Sequence, residues 1–170
     1  MNNISLNSDY AKENNLKFGI VVFVFLTFFI YSTIRLIYYF FGILGFLLGL
    51  YAFVDYQFLI GAIGGVIYTT KYRKEEQSIT KINVITVVIG GLISALSTTL
   101  VDAILYIQTI TVEFFFYYFL ERSIYGLVIG LVVAMIIGAR FMHKELKEEE
   151  KKEKKEEPYG DEFFEDLIDK

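Results

Sequence analysis

The chain has no cysteine and no tryptophan, and only one histidine and one proline among its 170 residues. Without cysteine there is no disulfide, thiol nucleophile or cysteine metal site, and the redox compartment leaves no mark. The lone histidine, His143, follows the last apolar run among lysines and glutamates. That is a juxtamembrane surface position, with no partner for acid–base chemistry. No H-E-x-x-H, G-x-S-x-G or G-K-[ST] pattern occurs, so the metalloprotease, serine-hydrolase and phosphate-loop chemistries lack their motifs. The expectation is a protein that is not an enzyme, holds no cofactor or metal and does not bind nucleic acid. Richness in Lys, Ile, Asn and Glu suggests an AT-rich prokaryotic genome.

Charge is also missing, but only in places. Between Phe18 and Thr70 the ionised residues are Arg35 and Asp55 alone; between Ile82 and Ala139 they are Asp102, Glu113, Glu121 and Arg122. The remaining charge lies almost wholly in residues 1–17, 71–81 and 140–170. What is abundant is apolar: 55% of residues are hydrophobic and 18% aromatic. Long apolar runs bounded by charge read as membrane spans. The first run follows a polar segment carrying Asp9 and Glu13 and is longer than a cleaved leader, so it reads as an uncleaved first span.

Basic residues set the expected topology. Lys12 and Lys17 precede the first run, Lys71, Arg73, Lys74 and Lys81 separate the two runs, and Arg140 and Lys144 follow the second. Cytoplasmic flanks collect Lys and Arg, so each run crosses an even number of times. The predicted architecture is an all-α integral membrane protein of the cell membrane, with four transmembrane helices in two tandem hairpins and both termini cytoplasmic. Its segments are a polar N-terminus (1–17), a first hairpin (18–72), a basic loop (73–82), a second hairpin (83–142) and a charged tail (143–170). The spans fall near 18–41, 50–72, 83–107 and 119–142.

A shift of 65 positions aligns Ile20 with Ile85, Val22 with Val87, Ser32-Thr33 with Ser97-Thr98, Gly61 with Gly126 and Gly65 with Gly130. Two spans per unit make this a parallel internal repeat, related by an axis along the membrane normal. Gly61/Gly65 and Gly126/Gly130 are small-xxx-small pairs, a glycine-zipper pattern that lets helix backbones approach closely in lipid. Two uses stay open at this point: packing within one subunit, or a homo-oligomer. The outer segments around 36–53 and 111–123 are aromatic, as expected of an interfacial belt or short interfacial helices.

Depth decides how the isolated charges are read. Counted from Phe18, Arg35 stands about 25 Å along its helix, and counted from Asn83, Asp102 stands about 28 Å along its own, in a hydrocarbon core about 30 Å thick. Both lie near the outer edge, and the repeat aligns Arg35 with Leu100, two residues from Asp102. An Arg35–Asp102 structural ion pair is expected. The rival use is an outer vestibule involving Asp55, Glu121 and Arg122, with Asp55, Asp102 and Glu121 as acceptors for a cation or polar substrate.

The tail ends differently from the rest of the chain. Lys/Glu pairs such as Glu148 with Lys152 favour a helix, which Pro158 and Gly160 stop. Beyond them Phe163, Phe164, Leu167 and Ile168 share one face among five acids, the pattern of a short docking motif for a basic protein partner. The sequence therefore favours a membrane scaffold or adaptor, with the lipid bilayer and a cytoplasmic protein as partners. The alternative is a small oligomeric transporter or channel. Against it stands the lack of charge at mid-span, where Thr69, Thr70, Ser94, Ser97 and Thr98 are the polar residues available.

Overall fold

The computed structural model describes residues 13–42, 56–74, 76–106 and 111–156, with side chains to Lys151. The described residues form four helices and no strand: α1 (Asn15–Phe41), α2 (Tyr56–Lys71), α3 (Ile79–Leu105) and α4 (Val112–Glu156). Three of them, α1, α3 and α4, are long and apolar enough to cross a membrane, which marks a multi-pass protein. The described part of α2 has 16 residues, about 24 Å of helix. Residues 50–55, assigned to the second span from sequence, lie outside the described residues, as do Asp55 and the tail motif at 163–168.

Two compact units divide the chain, Met1–Gly138 and Ala139–Lys170. In the first, α1, α2 and α3 pack on one another, and the N-terminal half of α4 lies against α3 and Phe58. The aromatic segment at 112–123 is the start of α4 itself rather than a separate interfacial helix. In the second unit the helix is solvent-exposed, with a Lys144–Glu148 pair 3.7 Å apart one turn on.

The bundle is inverted relative to a soluble one. Among the described residues, thirteen buried side chains are polar or charged and eleven are apolar. Phe25, Phe29, Ile60, Ile93, Leu100, Val128 and Met135 meanwhile lie exposed. Such a surface would aggregate in water, whereas in lipid it is the solvated face. Lipid does not drive apolar groups together, so close packing and interhelical hydrogen bonds must hold the helices.

Glycine supplies the close packing. A Cβ on Gly61 would lie 2.8 Å from the Phe23 carbonyl oxygen, and one on Gly65 2.8 Å from the Gly19 carbonyl oxygen. Gly126 faces Phe58 and Gly91, and Gly130 faces Val87. All four glycines singled out in the sequence therefore make close contacts inside the subunit. Gly19, Gly90 and Gly91, which the sequence reading passed over, complete the same contacts from α1 and α3.

Candidate functional site

Polar side chains run along the bundle interior in three groups. At one end Gln77, in the short connection before α3, is the organising residue. Its Oε1 accepts from the Asn15 amide at 3.0 Å and from the Lys74 backbone N–H at 3.2 Å. Its carbonyl accepts from Arg73 Nη1 at 3.1 Å. The basic connection is thus tied to the start of α1. Just inside, Thr70 donates to Asn83 Oδ1 at 3.0 Å, and the hydroxyls of Thr69 and Thr86 meet at 3.0 Å. Each of those threonines also reaches a carbonyl of its own helix, Gly65 or Ile82. One hydroxyl carries one proton, so one threonine must turn from its helix to bond its neighbour.

The middle group is less satisfied. Thr27, Thr98 and Thr99 donate to carbonyls four residues back in their own helices, as hydroxyls in helices commonly do. Ser94 Oγ, Gln57 Oε1 and Asn83 Nδ2 are buried without a hydrogen-bond partner among the described residues. An unpaired buried polar group costs about 1–3 kcal/mol, so these positions call for water or a polar solute.

The third group is an ion cluster between α1, α3 and α4. Arg35 Nη2 donates to Asp102 Oδ2 at 3.0 Å, and Arg35 Nε lies 3.0 Å from Oδ1. Arg122 makes a second, very short ion pair with Oδ2. The structure therefore brings Arg35 and Asp102 together and adds Arg122, which the sequence reading had placed only in the rival outer vestibule. Tyr31, fully buried on α1, accepts from Arg35 Nε at 2.9 Å and from Arg122 Nη2 at 2.7 Å. Arg122 Nη1 reaches Thr99 Oγ1 at 3.4 Å. The Tyr31 ring lies 5.3 Å from the Arg35 guanidinium carbon and 4.9 Å from that of Arg122, with Tyr106 and Tyr118 flanking at 6.0 and 5.7 Å. Aromatic faces attract cations at these distances.

Helix geometry explains why these residues meet. Positions 15, 19, 23, 27 and 31 of α1 are all buried, and Arg35 continues that four-residue row along one ridge. Asp102 ends the corresponding row of α3, which buries residues 94, 95, 98, 99 and 102. Glu121 is half-buried and forms no ion pair with either arginine among the described residues. A carboxylate gripped by two arginines is a poor cation ligand, so the cluster is electrostatically suited to anions. Tyr31 gave no sequence signal, because it reads like any belt aromatic. Nor did Arg122, whose burial beside Asp102 follows from how α4 seats on α3. Comparison with known protein families, curated proteins and solved structures finds no match.

Proposed function

We propose that this chain is a non-enzymatic membrane protein that crosses the bilayer four times and carries a polar path for a small hydrophilic solute through its bundle. The observation that carries this reading is the set of buried polar atoms at Asn83, Ser94 and Gln57 without partners among the described residues. Such atoms are satisfied by water or by a polar solute. Of the three, Ser94 lies near mid-span, the depth at which solutes bind in transporters, with Asn83 near the start of α3 and Gln57 near the start of α2.

Two matched sets of contacts support the tandem-hairpin arrangement. Gly65 faces Phe23 while Gly130 faces Val87, and Gly61 faces Thr27 while Gly126 faces Gly91. A shift of 64 or 65 residues converts the first of each pair into the second. α1 and α3 are moreover both 27 residues long. The positive-inside pattern supports cytoplasmic termini, and protease added to intact cells should leave the tail whole.

The test is flux. Proteoliposomes containing the full chain should pass water or glycerol faster than empty vesicles in stopped-flow light scattering. Ser94→Val, which replaces the hydroxyl by methyl groups, should return the rate towards that of empty vesicles while the protein stays folded. No flux of water, glycerol or monovalent ions, together with a protein partner lost on deleting residues 159–170, would favour the scaffold reading instead.

A further inference from the structure

We propose that the Arg35–Asp102–Arg122 cluster is an incomplete charge assembly that binds one further anion, a phosphate or carboxylate group, at the end of the bundle where α1, α3 and α4 meet. The proposal stands whether or not the bundle interior conducts. It begins from a charge count. Two guanidinium groups, which stay protonated in proteins, face one carboxylate, and no other acid pairs with them among the described residues. Among the described residues the cluster therefore holds one unmatched positive charge. Its members are largely withdrawn from solvent, with side-chain exposures of 13% for Arg35, 11% for Arg122 and 6% for Asp102. An unpaired charge in such surroundings is costly, and pairing is the ordinary remedy.

Hydrogen bonds point the same way. Each guanidinium carries five N–H donors. Only about half of the combined set meets an acceptor among the described residues, namely Asp102, the Tyr31 hydroxyl and Thr99. Tyr31 offers no charge, and the rings over the guanidinium planes leave the N–H edges as the route to an acceptor. Planar forks with free edges match oxyanions bidentately. The residual exposure of both arginines gives a ligand access. Free phosphate and a lipid phosphate present the same chemistry to these edges, so the experiment must separate them.

The full chain is placed in phosphate-free maltoside micelles, alone or with added phosphatidylglycerol, and its melting temperature is followed as sodium phosphate is added against sodium chloride of equal ionic strength. Saturable stabilisation of about 5–10 °C at roughly a hundredfold excess over Kd in the lipid-free micelles identifies a site for a free anion. A phosphatidylglycerol molecule retained in native mass spectra, with no added phosphate response, identifies a headgroup site. Arg35→Gln removes the excess charge and leaves the Arg122–Asp102 pair, so it should fold and lose either response. Arg35→Lys keeps the charge, loses the fork and should weaken binding. The proposal is overturned if neither phosphate nor phosphatidylglycerol has an effect, or if Arg35→Gln responds like the parent chain.

Discussion

Replacing Asp102 by leucine is expected to destabilise the bundle by about 3–5 kcal/mol, because it strands two buried cations that cannot shed their protons. The double variant Arg35→Leu/Asp102→Leu should not recover that loss. Arg122 would still lack its carboxylate, and only Tyr31 and Thr99 would remain as its neutral hydrogen-bond partners. Recovery should require the triple variant Arg35→Leu/Asp102→Leu/Arg122→Leu, since replacing a whole buried ion cluster by apolar groups is often neutral or stabilising. Arg35→Leu alone should cost far less than Asp102→Leu, because a balanced pair remains. Thermal melts in detergent or nanodiscs give the ranking. Full recovery by the double variant would mean that Arg122 does not depend on Asp102, and the three-residue cluster would fall.

The second large effect is at the α1/α2 contact. Gly65→Ala places a methyl group 2.8 Å from the Gly19 carbonyl oxygen and 2.8 Å from Phe23 Cβ, and Gly61→Ala places one 2.8 Å from the Phe23 carbonyl oxygen. Backbone cannot rotate aside as a side chain does, so α1 and α2 must separate. The expected cost is about 1–3 kcal/mol for each change, more if the polar contacts at Thr69 and Thr27 are pulled apart with them. Gly64→Ala is the control. Its nearest neighbour is Leu26 Cδ1, the tip of a flexible side chain, which can swing away. Melting temperatures should fall for Gly61→Ala and Gly65→Ala and hold for Gly64→Ala. Equal tolerance of all three would mean that the helices are not in the close contact described.

The cluster and the glycine contacts differ in how far the sequence foretold them. Glycines four residues apart predict close approach wherever they fall on an apolar helix, but not what approaches. The facing surfaces, Phe23 for Gly65 and Val87 for Gly130, come from the three-dimensional packing. Arg35 and Asp102 were matched from their equal depth on parallel helices, a one-dimensional argument that works because rise per residue is fixed. Arg122 enters the cluster from a helix whose rotation about its axis depends on how Gly126 and Gly130 seat against α3, and no spacing rule carries that information. The basic connection was legible as a charged loop. Its anchor, Gln77 bonded to Asn15, was not, because an isolated Gln and Asn 62 residues apart have no local pattern.

The sequence by itself determined that this chain is built on helices long and apolar enough to span a membrane. Segregated charge and unbroken apolar runs leave few options when every backbone polar group must be satisfied within the hydrocarbon layer. It also determined that thiol chemistry is excluded. The tertiary structure decided what the isolated polar residues do. Burial of Thr, Ser, Asn and Gln against one another, and of two arginines around one aspartate, depends on which helix faces meet. In lipid the apolar faces are nearly interchangeable with solvent, so hydrophobicity cannot choose among them. Glycine contacts and interhelical hydrogen bonds make that choice, and they exist only once the helices are together.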